Sequence, residues 1–388
     1  MSVRASPAKH RIATMTALVF LYVIVVSGAL VRLTASGLGC VDWPNCNSNR
    51  FVDVSSKHAA IEQINRLFTG AVSAAVLLAV LGALFRTPRR RDLTWLSLGL
   101  VAGVIGQAVL GAFVVWSHLN PVLVQGHFLL SMVLMANALV LHRRAGQPDG
   151  GRRVRLVPAQ IATHAWAVVV LTAVAIVAGT VTTGAGPHSG SVDGEPVRRF
   201  GIDISTIARL HALAVWATVA AVLALAWRIR NDAPTRRRLE PAITRFVVIA
   251  VFQGAVGYIQ YFSGVPIVLV AIHVFLATAV WPAAIHLAQV TTEVVEPVGV
   301  SAREIRLFVP TKSPASRSER DRPARPCFDD QLALGQHVVQ ADQRSQRRLA
   351  GGGVLGCLAH RPSRVTNSSV AARPSWCRSP RCRWRSRS

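Results

Sequence analysis

Eight long apolar runs constrain the fold of this chain more than any other feature. A helix needs about 20 mostly apolar residues to cross the hydrocarbon core of a bilayer, and each run is long enough. The predicted spans cover roughly residues 13–33, 60–85, 93–116, 121–141, 161–182, 206–227, 243–262 and 266–289. Only 16% of the 388 residues are charged, against about 25% in ordinary soluble domains. The sequence therefore predicts an all-α polytopic membrane protein and excludes a soluble Rossmann enzyme, a disordered scaffold and a secreted disulfide miniprotein.

The basic residues lie in short clusters between the apolar runs. The clusters are Arg4 to Arg11 at the N-terminus and the arginines within 86–91, 143–155 and 228–238. Because cytoplasmic loops carry an excess of Lys and Arg, this spacing places both termini in the cytoplasm of a bacterial cell and the segments 34–57 and 183–205 outside the membrane. The net charge of +25 is thus explained by topology, and no nucleic-acid partner is expected.

The apolar runs and the basic clusters together predict the domain organisation. The expected parts are a cytoplasmic N-terminus (1–12), an N-terminal four-helix half (13–142), a cytoplasmic linker (143–160), a C-terminal four-helix half (161–290) and a basic tail (291–388). The tail is rich in Arg, Ser and Pro and shows no helical period beyond about residue 300. It is expected to be either a disordered segment that touches anionic lipid or out-of-frame translation of a GC-rich gene.

An internal repeat relates the two halves. The same offset, 146 residues, separates four pairs of positions in matching spans. These pairs are Gln107 and Gln253, Gly111 and Gly257, His127 and His273, and Asn65 and His211. Because each half has four spans, an even number, the halves point the same way and are related by an axis along the membrane normal. We therefore expect two pseudo-twofold-related four-helix bundles side by side.

The repeat places Asn65, His127, His211 and His273 at one depth, roughly five to seven residues from the outer ends of their spans. Two histidines at matched depth on different helices can bind one haem iron from both sides. The C-terminal half is therefore predicted to hold a haem between His211 and His273. The alternative is that each histidine only forms a hydrogen bond with a neighbouring helix. Zinc is a weak competitor, because no third and fourth ligands are evident.

The N-terminal half differs, because an Asn side chain is a poor iron ligand beside an imidazole. His127 is its one good ligand, and His58, about 10 Å from Asn65 along the helix, could replace Asn65 only if the haem shifted outward. Glu62 lies three residues before Asn65 on the same helical face and is a candidate for proton transfer. The alternative for Glu62 is an ion pair with Arg66 four residues later.

Three arginines and two cysteines lie near the outer ends of the spans. Arg32, Arg66 and Arg209 are candidate partners of haem propionates, or they reach towards lipid headgroups. Cys40 and Cys46 enclose five residues of the first outer loop, where a disulfide is permitted. We expect the pair to be a structural staple or a redox pair, and a metal-binding loop is a weaker alternative.

The segments GALVRLTASGLGCVDWPNC and HAAIEQINRLFTG, together with the later histidines, resemble the haem A synthase family, of a bacterial and actinobacterial type. The resemblance covers about residues 12–290. It implies an eight-helix membrane enzyme with pseudo-twofold halves that oxidises a ring methyl of haem O to the formyl group of haem A. It also implies a haem O substrate and, as further partners, a haem O synthase, an electron donor and membrane lipid.

The family resemblance assigns roles to individual residues. A haem b cofactor would be bound by His211 and His273, and the substrate haem by His127 and the position of Asn65. Glu62 would be catalytic, and the paired cysteines of the first outer loop correspond to Cys40 and Cys46. The chain departs from the family at Asn65, where many members have histidine.

Two other functions fit parts of the sequence. A non-catalytic b-type cytochrome would also have bundled helices with paired histidines, but it would need neither Glu62 nor the cysteine loop. A transporter with two parallel repeats would have a polar central pathway and no bound chromophore.

Overall fold

The computed structural model describes residues 4–192 and 197–295. Within them eight helices are long and apolar enough to cross a membrane, which confirms the predicted all-α polytopic membrane fold. The helices are α1 (Pro7–Leu33), α2 (Lys57–Phe85), α3 (Arg91–Trp116), α4 (Pro121–Ala145), α5 (Ala159–Ala185), α6 (Ile204–Ile229), α7 (Ala233–Phe262) and α8 (Ile267–Gln289). The prediction of a disordered or out-of-frame tail falls mostly on residues 296–388, which lie outside the described residues.

Several helices extend beyond the apolar runs that predict them. The clearest case is α7, which begins at Ala233 although its apolar run begins at about 243. Asp232 caps this helix, because its side chain accepts a hydrogen bond from the backbone N–H of Thr235, and α1 is capped in the same way by Ser6. An apolar run marks only the part of a helix in hydrocarbon, whereas a capped backbone remains helical into the polar zone.

A small antiparallel sheet joins the linker between the halves to the segment after α8. Its strands are β1 (Arg152–Arg155) and β2 (Thr292–Val295), with Arg152 opposite Val295. Arg238 holds this region, because its Nη2 lies 2.6 Å from Oε2 of Glu293 and its Nε donates to the carbonyl of Val290. Neither strand is predicted from the sequence, because four-residue strands paired across more than 130 residues leave no local signal.

Each half of the chain has its own apolar core. One core contains buried residues of α1, α2, α3 and α4, and the other contains buried residues of α5, α6, α7 and α8. In each half the first helix packs on the second and the fourth, and the third packs on the fourth. Two faces result: a basic face with the N-terminus of α1 and β1–β2, and a loop face with the long connections after α1 and α5.

The two halves meet along α1, α4, α5 and α8. The hydroxyl of Tyr22 on α1 donates a 2.7 Å hydrogen bond to the carbonyl of Phe275 on α8. Nε1 of Trp281 on α8 donates to the carbonyl of Met132 on α4 at 2.8 Å. Both bonds link an aromatic side chain of one half to a backbone carbonyl of the other, so the halves share one packed interface.

Candidate functional site

Two imidazoles face each other in the C-terminal half. His211 lies seven residues into α6 and His273 six residues into α8, both counted from the loop face. Their ring centroids are 6.4 Å apart and the ring planes are inclined by 72°. This separation accommodates one metal ion between two imidazole nitrogens that each lie about 2 Å from it. The structure therefore brings together the two residues that the repeat pairs in this half.

The His211 ring is oriented by a backbone carbonyl on α5. Its Nδ1 lies 2.9 Å from the oxygen of Ala175. Because a carbonyl oxygen only accepts, this contact assigns the proton to Nδ1 and leaves the lone pair of Nε2 free to bind a metal. Sequence reasoning missed Ala175, because a main-chain carbonyl has no residue-specific signal.

A glycine on a neighbouring helix lies against each of the three histidines. A Cβ atom at Gly257 of α7 would lie 2.9 Å from Cε1 of His273, and one at Gly111 of α3 would lie 3.4 Å from Cε1 of His127. A Cβ atom at Gly179 of α5 would lie 3.0 Å from Cε1 of His211. Gly111 and Gly257 are found by the repeat offset, but Gly179 has no partner at that offset and was missed.

The N-terminal half presents one imidazole at the corresponding depth of α4. His127 lies six residues into that helix, and Nε2 of Gln107 donates to its carbonyl at 3.1 Å. Asn65 on α2 is hydrogen-bonded to α1, because its Nδ2 donates to Oγ of Ser27 at 2.8 Å. His58 lies in the first turn of α2, where its Nδ1 is 3.1 Å from Oγ of Ser36.

Glu62 is buried at the loop-face end of α2 and is held by three hydrogen bonds. Nη2 and Nε of Arg66 donate to its Oε1 at 2.6 and 3.0 Å. The backbone N–H of Cys40 donates to its Oε2 at 2.8 Å. The ion pair that the sequence analysis gave as the alternative for Glu62 is thus formed, and it fixes the carboxylate beneath the first connection.

The connection between α1 and α2 folds over this ion pair. Cys40 and Cys46 form a disulfide, and both residues are buried. Nη1 of Arg66 donates to the carbonyls of Asp42 and Asn45, which lie inside the ring that the disulfide closes. Because both sulfurs are used in the disulfide, they are not available as thiolate ligands of a metal-binding loop.

The three candidate propionate partners differ in how many of their guanidinium N–H groups already form hydrogen bonds within the protein. Nε and Nη2 of Arg32 donate to the carbonyl of His188, and Nη2 also donates to that of Thr183, so this side chain ties α1 to the end of α5 and to the connection after it. Arg66 donates hydrogen bonds to Glu62 and to carbonyls of the disulfide loop. Arg209 is exposed two residues before His211 and bonds only Ser205 of its own helix among the described contacts.

Comparison with known proteins places this arrangement in a family. The model of the COX15-CtaA family, described as cytochrome oxidase assembly protein, matches residues 11–285. A heme A synthase of Listeria monocytogenes is 26% identical over 270 residues, which cover 66% of this chain and 87% of the relative. Heme A synthases of Lysinibacillus sphaericus and Bacillus pumilus are 33% and 35% identical over 127 and 121 residues, which cover 32% and 31% of this chain and 41% and 39% of the relatives.

Proposed function

Because the chain belongs to the COX15-CtaA family of cytochrome oxidase assembly proteins, we propose that it catalyses the reaction for which its relatives are named, the synthesis of haem A. The reaction oxidises a ring methyl of haem O to a formyl group and provides haem A for terminal oxidases. The observation that carries this proposal is the pair of facing imidazoles of His211 and His273, 6.4 Å apart. The family match favours neither the non-catalytic cytochrome nor the transporter.

The C-terminal half would hold a haem b cofactor through His211 and His273. When bound, this haem supplies reversible one-electron transfer at its iron. The residues fit such a group, because the Nδ1 hydrogen bond from His211 to Ala175 presents Nε2 as a ligand. Gly257 adds to the fit, since only a residue without a Cβ leaves the His273 ring where it lies.

The N-terminal half would bind the substrate, haem O. His127 would bind the substrate iron, with Asn65 opposite it, and the substrate methyl would lie near Glu62. Oxygenation of a C–H bond requires protons, and Glu62 is an acidic side chain one helical turn from Asn65 towards the loop face. Arg66 and the N–H of Cys40 hold that carboxylate in one position, which suits a group that transfers protons at a fixed site.

Arg209 is the best placed of the three arginines to bind a haem propionate. It lies on α6 close to His211, is exposed, and keeps donors beyond those that contact Ser205. Arg32 and Arg66 remain candidates whose donors are largely used by loop carbonyls.

We further propose that both termini lie in the cytoplasm of a bacterial cell, that the loop face is extracytoplasmic, and that a haem O synthase and an electron donor are partners.

The test is pigment extraction from cells that make haem O and have this chain as their source of haem A. Glu62→Gln removes the acid and His211→Ala removes a cofactor ligand, so each should lower haem A, by about 100-fold for Glu62→Gln, while haem O accumulates. Matched controls are Glu240→Gln, on the exposed first part of α7, and His164→Ala, on α5 near the basic face. Normal haem A in both site variants would contradict the proposal.

Spectroscopy of the purified chain separates the remaining functions. Wild type should show a low-spin bis-imidazole signal that His211→Ala abolishes. A coloured protein that never converts haem O would favour the cytochrome. A colourless protein from haem-replete cells would favour the transporter.

A further inference from the structure

The two halves differ in what fills the space beside one glycine of their first helix. In the C-terminal half Gly179 lies one turn after Ala175, and the His211 ring packs 3.0 Å from the Cβ position of that glycine. In the N-terminal half Gly28 lies one turn after the buried Val25 and next to Ser27. A Cβ atom at Gly28 would meet no atom within 4 Å. The glycine next to Ser27 is therefore open on the side where a Cβ would point, whereas Gly179 is packed by the His211 imidazole.

Asn65 does not supply the missing ligand. Its Nδ2 donates to Oγ of Ser27 at 2.8 Å, which turns the amide towards α1. An amide nitrogen is a donor without a lone pair for a metal, and the side chain is shorter than that of histidine. The second helix of this half thus offers no imidazole at the depth of His127.

His58 is held away from this position by the first connection. It lies seven residues before Asn65, about 10 Å along the helix axis. Its Nδ1 is 3.1 Å from Oγ of Ser36, so the ring is anchored among residues of the loop face. A His58 ligand would require this contact to break and the first turn of α2 to move.

We propose that the N-terminal half binds its haem iron through His127 alone, and that the space beside Ser27, Gly28 and Asn65 admits a small exogenous iron ligand. The ligand class is a diatomic gas on reduced iron or a free imidazole on oxidised iron. The C-terminal haem would be closed to both, because His211 and His273 would both bind its iron. This inference rests on the proposed function, since it assumes that haem O occupies the N-terminal half.

The experiment uses the full chain, purified from cells that make haem O, with carbon monoxide and imidazole as probes. Carbon monoxide should bind one of the two haems in the reduced protein, and imidazole should convert the same haem from high spin to low spin in the oxidised protein. Absorption and electron paramagnetic resonance spectra report both changes. The second haem should keep its low-spin signal throughout.

Two variants test the structural cause. Asn65→His should place a second imidazole opposite His127, give a second low-spin signal and lower carbon monoxide affinity by more than about tenfold. Gly28→Leu fills the open space without adding a ligand, so it should weaken imidazole binding more than that of the smaller carbon monoxide. The matched control is Gly254→Leu on α7, where a Cβ atom also meets nothing within 4 Å; it should leave both affinities unchanged.

Two low-spin haems in the wild type, neither of which binds carbon monoxide or imidazole, would overturn the inference. If His58→Ala then made one haem reactive, His58 would be the sixth ligand. Pigment extraction distinguishes this result from failure of the proposed function. A chain that makes haem A but has no ligand-accessible haem refutes only the inference, whereas a chain that makes no haem A and holds no second haem refutes both.

Discussion

Replacing Gly257 with alanine would place a methyl group 2.9 Å from Cε1 of His273, which is closer than van der Waals contact permits. Cε1 lies between the two ring nitrogens, so any shift that relieves the contact also moves the nitrogen that would bind iron. We expect Gly257→Ala to weaken retention of the C-terminal haem by about tenfold, the size of effect seen when support of a metal ligand is lost. Transfer of haem to apomyoglobin measures this retention.

The matched control for this change is Gly254→Ala, one turn earlier on α7. A Cβ atom there meets no atom within 4 Å, so the substitution adds only helix propensity. Haem retention should equal that of the wild type. Equal haem loss from Gly254→Ala and Gly257→Ala would mean that any alanine in α7 disturbs the site and that the contact with His273 is not the cause.

The disulfide loop positions Glu62 through Arg66. Both carbonyls that accept hydrogen bonds from Nη1 of Arg66 lie between Cys40 and Cys46, and the N–H of Cys40 itself donates to Glu62. The double variant Cys40→Ser, Cys46→Ser should therefore loosen the loop and lower haem A formation. The C-terminal haem should keep its low-spin signal. Cys327→Ser, at a cysteine outside the described residues, serves as the control substitution. Loss of the C-terminal haem signal in the double variant would contradict this local role.

At this scale the sequence predicts side chains better than it predicts their partners. His211, His273 and Gly257 follow from the repeat offset, because their identities are visible along the chain. The carbonyl of Ala175 and the packing of Gly179 on His211 do not, since both depend on how α5 lies against α6.

Among the helices, α6 begins at an N-cap, Asp203, which sets the start of the helix that carries His211. The carboxylate of Asp203 accepts hydrogen bonds from Oγ of Ser205 and from N and Oγ1 of Thr206. These bonds hold the pKa of Asp203 down at about 2. Asp203→Ala removes the cap and should lower the thermal stability of the C-terminal half, and with it the temperature at which that haem is released. Asp203→Asn keeps a capping oxygen and is the matched control.

The same cap has a defined pH dependence. The folded pKa of Asp203, about 2, lies below the value of about 3.9 expected in an unfolded chain. Its stabilisation is therefore fully present above about pH 4 and is lost as the pH falls through 2. The stability difference between wild type and Asp203→Asn should shrink over this window, measured by thermal melts at stepped pH. A difference that stays constant from pH 5 to pH 2 would show that ionisation of Asp203 contributes nothing.

Helices as elements are the most predictable part of this fold. All eight spans follow from hydropathy, because the bilayer demands about 20 apolar residues in each. Their ends do not, as the early start of α7 at Ala233 illustrates, because caps and polar turns extend a helix beyond the hydrocarbon. The pairing of β1 with β2 is equally hidden, since it depends on the basic-face ends of α4, α5 and α8 being brought together.

For the molecule as a whole, the repeat predicts two similar halves but not how they join. The contacts across the interface are specific to single residues, such as Tyr22 with Phe275 and Gln125 with Thr180. Neither pair recurs at the repeat offset, because a side-by-side pair of bundles uses its helices unequally. The interface is therefore the part of the architecture that only the structure supplies.

Trp281 should test whether the halves are stable independently. Its ring packs against the apolar cores of both halves, and its Nε1 donates to the carbonyl of Met132 in the other half. Trp281→Ala removes a large side chain from both cores at once and should cost on the order of 3 kcal/mol. Because the side chain is shared, the absorption of both haems should be lost together, at one lowered temperature.

The control for Trp281→Ala is Trp95→Ala, since Trp95 is 72% exposed on α3. A side chain on the lipid-facing surface supports neither core, so this variant should melt close to wild type in detergent. If Trp281→Ala released one haem early and left the other at its wild-type temperature, the halves would be separate folding units and the contact would be only local. A common shift of both signals would instead show that the two halves unfold as one cooperative structure.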